Sequence, residues 1–212
     1  MSAMSVMSTK KSAENATVSN KNQTIENQTI DTTSIKIPTK RLLLRAFVQS
    51  DLQDFYEYAS VPNVGEMAGW PHHKSIAESQ EILDMFLQEK NNFALYHTQD
   101  KKVVGSLGLH GSWANKKEQY KGLKIAEIGY VLAKNYWGQG LTAEATQAVI
   151  AYCFANLDFY ALTCCHFLEN HQSQRVVEKC GFVFAQQSKY HAKLLDKYFD
   201  ERQYILLNNL KS

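Results

Sequence analysis

The spacing of apolar residues along this chain switches between two periods. Short apolar or alternating runs begin at Arg41 (RLLLRAF), Asn92 (NFALYHT), Val103 (VVGSLGLHG), Ile125 (IAEIGYVLA), Ala161 (ALTCCHF), Phe182 (FVFAQQS) and Arg202 (RQYILLN). Runs of this length, bounded by turn residues, each predict a strand. Between them the spacing becomes helical. Ser50 with Gln53, and Ser75 with Glu78, have the spacing of a capping box and predict helices near 51–59 and 76–89. From Leu141, apolar residues at 141, 145, 148, 149, 152 and 155 share one helical face. Asn170 is placed to cap a helix that runs to Cys180 and ends at Gly181.

The predicted order is strand, two helices, three strands, helix, strand, helix, two strands. Consecutive strands before Glu127 favour antiparallel neighbours, whereas strand–helix–strand from 125 to 166 requires a right-handed crossover and a parallel pair. The expected fold class is therefore α+β: a mixed, mostly antiparallel twisted sheet flanked by helices, with one parallel strand–helix–strand unit. Residues 37–212 form this domain, which is long enough for one sizeable core.

Residues 1–36 break the pattern. They contain no Gly, Pro or aromatic residue, are rich in Ser, Thr, Asn and Lys, and hold a short echo, NQTIE then NQTID. Such a segment buries too little apolar surface to offset its ordering entropy, so a disordered N-terminal tail is expected. Its acidic residues and lack of arginine argue against a transit peptide.

Composition narrows the partners. A formal net charge of +2 is too balanced for nucleic acid or an anionic membrane to be the main partner. No apolar run approaches the roughly 20 residues needed to span a bilayer. Cys153, Cys164, Cys165 and Cys180 form no CxxC pair, which argues against a zinc site or a disulfide framework. With no signal-peptide pattern, reduced thiols in a cytoplasmic protein are expected, and no metal.

The stretch YWGQGLTAEA carries the chemistry. It lies where a predicted strand hands over to a predicted helix, and it loses its side chains at Gly138 and Gly140. The first amides of a helix and its dipole attract anions, and glycines let a phosphate approach closely. A plain tight turn would use the same residues. A P-loop needs GxxxxGK[ST], which is absent. The dinucleotide fingerprint GxGxx[GA] is literally present at Gly138, Gly140 and Ala143. That motif expects parallel strands before it and an acid ending the next strand, and neither is found.

A third signature for such a turn, [QR]-x-x-G-x-[GA], cradles the diphosphate of coenzyme A in a family that this chain resembles. The chain resembles the GNAT acetyltransferase superfamily, in its RimJ/RimL-type branch, over about residues 39–187. The resemblance rests on the order and spacing of TKRLLLRAF, GWPHH, VVGSLGLHG, AEIGYVLAKNYWGQGLTAEA and ENHQSQRVVEKCGF. It implies that acetyl-CoA is the cosubstrate, with its pantetheine arm along Val131 and Leu132 and its diphosphate over Trp137, Gly138, Gln139, Gly140, Leu141 and Thr142. It places Asn170 against the arm, a role that competes with plain helix capping. Trp137 stands where the family signature has Gln or Arg, and Thr142 where it has a small residue.

Acetyl transfer to an amine needs a group to take the amine's proton and one to protonate the departing thiolate. Ser173, one turn after Asn170, is the candidate donor. The Tyr that other branches use is Val177 here. Glu127 is the candidate base, with His110 as its rival. Trp70, His72 and His73 fall where the family builds its acceptor pocket. The resemblance implies direct transfer in a ternary complex rather than an acyl-cysteine. The acceptor it implies is a primary amine, foremost the α-amine of a ribosomal or other protein N-terminus. Small amines such as polyamines, and a non-catalytic acetyl-CoA sensor, are the alternatives. The assembly expected is a monomer or homodimer.

Overall fold

Alternating side chains force each strand of a half-buried sheet to face two layers at once. A computed structural model of the chain, which describes residues 30–209, follows that rule. In chain order the elements are β1 (Lys36–Pro38), β2 (Leu42–Ala46), α1 (Leu52–Ala59), α2 (Ile76–Glu89), β3 (Asn92–His97), β4 (Lys102–Gly111), β5 (Ile125–Leu132), α3 (Leu141–Asn156), β6 (Ala161–Phe167), α4 (His171–Lys179), β7 (Val183–Ala192) and β8 (Lys197–Leu207). They build one eight-stranded sheet in the order β1-β2-β3-β4-β5-β6-β8-β7. Every neighbouring pair is antiparallel except β5 and β6, which α3 connects.

Leu42, Leu44, Phe93 and Leu95 point to one face, where they pack with Leu141 and Val149 of α3 and Val177 of α4. Ala94 and Val103 point to the other face, against Phe55 and Tyr58 of α1 and Leu83 of α2. The two cores lie on opposite sides of the sheet.

The parallel pairing positions the site. β5 and β6 are in register from Ile125–Ala161 to Ile128–Cys164 and no further. Yet β5 continues to Leu132 and β6 to Phe167. The sheet therefore splits beyond Ile128, and the edge of β5 that faces β6 has no strand partner from Gly129 onward.

Three expectations are corrected. First, the expected tail extends too far. Residues 30–36 are packed: Thr32 is fully buried, bonding through its amide to the Lys90 carbonyl at 2.7 Å and through its hydroxyl to the Asn92 carbonyl at 3.2 Å. Ile35 and Ile37 enter the core, and β1 pairs with β2. Three isoleucines in a polar surround are too sparse to shift the composition of a 36-residue window. Residues 1–29 lie outside the described residues. Second, Ser50 does not cap α1. Asp51 is the N-cap residue but caps nothing with its side chain: its carboxylate turns back over the short turn 49–51, accepting from the Val48 amide at 2.9 Å and pairing with Arg45 at 2.7 Å. Third, the buried face of α3 is wider than the apolar stripe, because it also holds Ala143, Thr146, Ile150 and Cys153, while Ala155 is exposed. A helix pressed between a sheet and α4 buries polar and small residues as well.

Ser75 does cap α2, accepting from the Glu78 amide at 3.3 Å, and Asn170 caps α4, accepting from the Ser173 amide at 3.0 Å. Among the described residues no helix is long and apolar enough to cross a membrane.

Candidate active site

A cavity of about 780 Å³ opens at the split between β5 and β6 and passes to the α1–α2 side of the sheet. Ser173, Glu127, His110, Val131 and Asn170 all line it. Strand alternation sorts them by face. Glu127, Gly129 and Val131 face α1 and α2, whereas Ile128, Tyr130 and Leu132 face α3 and α4.

Glu127 is half-buried. It accepts a hydrogen bond from the Cys165 thiol at 3.3 Å and a longer one from the Thr163 hydroxyl at 3.5 Å. Burial, reinforced by the nearby charge of Glu201, raises its pKa to about 6. His110 is its register partner on β4. The His110 ring lies back over Gly108, where a Cβ would overlap it, and over Gly129, where a Cβ would touch it at 3.4 Å. The residue as a whole is exposed, its ring opens onto the cavity, and desolvation there lowers its pKa from the ordinary histidine value.

On the opposite face the Ser173 hydroxyl lies 2.8 Å from the Tyr130 hydroxyl, and Tyr130 also reaches the Ser173 carbonyl at 3.3 Å. Burial keeps the Tyr130 pKa well above 10, so this phenol keeps its proton. Sequence reasoning passed over Tyr130. Its signal was the odd spacing from Glu127, which sends the two side chains to opposite faces of one strand. Val177 is fully buried in the core.

Asn170 is occupied as a cap: its Oδ1 accepts from Ser173, and its Nδ2 donates to the Met67 carbonyl at 3.3 Å. Leu132 turns its side chain into the core, and its carbonyl accepts from the Trp137 indole at 2.7 Å. Trp137 thus braces the end of β5 against the turn that follows.

That turn leads into α3. Gly138 and Gly140 have φ of 75° and 76°, the left-handed region that favours glycine. Gly140 is the N-cap, and no side chain caps the helix. The first intrahelical bond runs from the Glu144 amide to the Gly140 carbonyl at 3.0 Å, so the amides of Leu141, Thr142 and Ala143 precede it. A Cβ on Gly140 would lie 3.9 Å from both the Arg41 guanidinium and the Lys179 ammonium. Two cations therefore flank an uncapped helix start. Sequence reasoning missed both, since they come from the residue before β2 and from the end of α4. The acid in this first turn, Glu144, is neutralised: it pairs with Arg41 at 2.8 Å and accepts from the Thr39 hydroxyl at 2.6 Å. The Arg41 guanidinium also donates to the Gln139 carbonyl at 2.9 Å. Leu141 is fully buried, and Thr142 is partly exposed.

On the acceptor side, the wall between α1 and α2 brings Trp70, His72 and His73 to the cavity, with His72 bound to Glu66 at 2.7 Å and His73 to Ser79 at 2.7 Å. The four cysteines are free. Burial pushes Cys153 up to about 12 and Cys180 up to about 11, and raises Cys164 and Cys165 as well. None is poised as a nucleophile at neutral pH. Among the described residues no cluster of His, Cys, Asp or Glu is placed to hold a metal ion.

A split sheet, an uncapped helix start beside it, and a carboxyl group and a hydroxyl pair on opposite faces form an arrangement suited to group transfer. The chain belongs to the GNAT acetyltransferase family, and it is an N-acetyltransferase: residues 41–183 match the family described as "Acetyltransferase (GNAT) domain". It is similar to the uncharacterized N-acetyltransferase YnaD of Bacillus subtilis, with 28% identity over 182 residues that cover 81% of this chain and 96% of that one. Among solved structures, a GNAT-family acetyltransferase from Bacillus anthracis has a TM-score of 0.72 at 24% identity, covering 82% of this chain and 99% of that one. The ribosomal-protein-S5-alanine acetyltransferase of Vibrio fischeri has a TM-score of 0.66 at 16% identity, covering 82% and 97%. The spermidine N-acetyltransferase of Vibrio cholerae, solved with CoA and spermine, has a TM-score of 0.63 at 20% identity, covering 79% and 96%. These three share the fold.

Proposed function

We propose that the enzyme transfers the acetyl group of acetyl-CoA to the α-amine of a protein N-terminus, by direct attack with both substrates bound. The start of α3 fits the diphosphate. Its backbone is bare at Gly138 and Gly140, its first amides are uncapped, and Arg41 and Lys179 supply opposite charge. The split beyond Ile128 fits the pantetheine arm, with Val131 and Asn170 on its walls. The thioester then lies between the two faces. Glu127, with His110 beside it, takes a proton from the amine. The Ser173 hydroxyl, held in place by its bond to the protonated Tyr130 phenol, hands one to the thiolate.

The observation that carries this reading is the place of Glu127, a half-buried carboxylate lining the cavity at the split in the sheet, where burial raises its proton affinity. An α-ammonium ordinarily has a pKa of about 7.7–8.0, so moving its proton to Glu127 costs about 2.5 kcal/mol. A lysine-like ammonium near 10.4 would cost about 6 kcal/mol by the same conversion. The weaker amine gives up its proton at the lower cost. A polyamine acceptor is the second reading, because Glu78 and Glu81 of α2 also line the cavity and offer a place for a second ammonium group.

Thiol release from acetyl-CoA against N-terminal peptides, polyamines and small amines separates the two. The expected result is a higher kcat/KM for peptides, with the acetyl group on the α-nitrogen by mass spectrometry. Preference for spermidine would overturn the peptide reading in favour of the second.

A further inference from the structure

Glu201 on β8 lines the same cavity as Glu127 but has no part in the chemistry above. It is only 7% exposed. Its Oε1 accepts from the Gln203 side-chain amide at 2.7 Å, and Gln203 in turn accepts from the Gln186 amide at 2.6 Å. These residues lie on β8 and β7, so a relay of two amides across the hairpin aims the carboxylate. Glu201 and Gln203 are two residues apart on one strand and share a face. Cys165, the register partner of Gln203, is on that face too and donates to Glu127.

Two carboxylates thus approach the cavity from β5 and β8. Each raises the proton affinity of the site: burial pushes both pKa values up, and the charge of Glu201 adds to the shift at Glu127. Among the described residues, neither takes part in an ion pair. A buried carboxylate without a cation is costly, and two that repel are more so. A cation entering the cavity would relieve both. The other charged or titratable groups that line it are His110 on β4, Tyr130 on β5, Cys164, Cys165 and His166 on β6, Tyr190 on β7, and His72, His73, Lys74, Glu78 and Glu81 on the opposite wall.

We propose that Glu201 is the second carboxylate of the acceptor site, which with Glu127 holds the incoming amine as an ammonium ion and orients it for deprotonation. The ammonium gives one proton to Glu127, leaving a neutral amine and a protonated carboxyl. The amine nitrogen then bonds to the acetyl carbon, the carbon–sulfur bond breaks, and the second proton of the nitrogen replaces the one delivered to the thiolate. Glu127 returns its proton to solvent. Glu201 loses and gains nothing: it is a positioning residue. The inference rests on the primary-amine acceptor proposed above, but not on which amine it is.

The test uses the full chain and its Glu201→Gln variant. With the amine that turns over fastest, KM for the amine should rise tenfold or more while kcat changes less than threefold. Affinity for acetyl-CoA and the melting temperature should hold. Removing the Glu201 charge should also move the acidic limb of kcat/KM downward, towards the ordinary carboxylate range. Gln203→Leu, which breaks the relay but keeps the carboxylate, should raise the amine KM by a smaller factor. In a carboxyl-detected NMR titration with ¹³C-glutamate, methylammonium chloride should shift both buried carboxyl signals of the wild type, whereas sodium chloride should not. Glu201→Gln should abolish the response at Glu127. An unchanged amine KM with an unmoved acidic limb would overturn the proposal, as would parallel losses of acetyl-CoA affinity and melting temperature. If no amine turns over, the acceptor reading fails by itself, and the methylammonium response still decides the role of Glu201.

Discussion

Ser173 and Tyr130 meet hydroxyl to hydroxyl at 2.8 Å although 43 residues separate them. Single residues acting as a unit lose function non-additively. Ser173→Ala should therefore lower kcat by about 10²–10⁴-fold with acetyl-CoA affinity nearly intact, as expected for one positioned proton donor. Tyr130→Phe should do the same, and the double variant should cost little more than either single. A product of the two losses, measured by steady-state kinetics, would mean that the hydroxyls act separately. Desolvation lowers the pKa of His110 from its ordinary value. His110→Ala should then leave the acidic limb of the rate profile where it is, and a vanished limb would make His110 the base instead. Ser173 was legible in the sequence because it stands three residues after a capping Asn. Its phenol partner was not, since no local spacing rule links β5 to α4.

At the scale of the element, the start of α3 is the proposed coenzyme site. Gly138 and Gly140 were readable as a backbone that must bend, and their positive φ values bear that out. Arg41 and Lys179 were not readable, because they reach Gly140 from two other parts of the chain. Lys179→Met should weaken coenzyme A binding by about tenfold, equivalent to about 1.4 kcal/mol, and reduce its salt dependence. Calorimetry at two ionic strengths checks both, and an unchanged affinity would place the diphosphate elsewhere. Lys179 is the cleaner probe, since Arg41 also clamps Glu144 and the Gln139 carbonyl. Gly140→Val should weaken binding too, but through the strain of a β-branched residue at φ 76° as much as through bulk. The buried face of α3 shows where pattern reading stops. Thr146 and Cys153 are wholly buried there although neither counts towards an apolar stripe.

At the scale of the whole molecule, the order of elements along the chain and the single parallel pair followed from the alternation of strand and helix signals, whereas the place of β8 between β6 and β7 did not. Nor did β1 and the packed residues before it, because β1 is three residues long and sits in a polar stretch. A chain that starts at residue 37 should be less stable than one that starts at residue 30, since it loses the buried Ile35 and Thr32. Burial of one large aliphatic side chain contributes about 2 kcal/mol, which corresponds to a melting temperature lower by about 4–8 °C in a domain of this size. Equal melting temperatures would mean that residues 30–36 contribute nothing. The split sheet joins all three scales, because it sets Glu127 and the Ser173–Tyr130 pair on opposite sides of one passage. The most direct test of that arrangement is the pH dependence of kcat/KM for acetylation of an N-terminal peptide by the wild type and by Glu127→Gln. Below about pH 6 Glu127 holds a proton and cannot act as a base, so the wild-type rate should rise with pH through a midpoint near 6. Glu127→Gln should lose that limb and about 10²–10⁴-fold in rate. A variant that keeps both the limb and the rate would contradict the account.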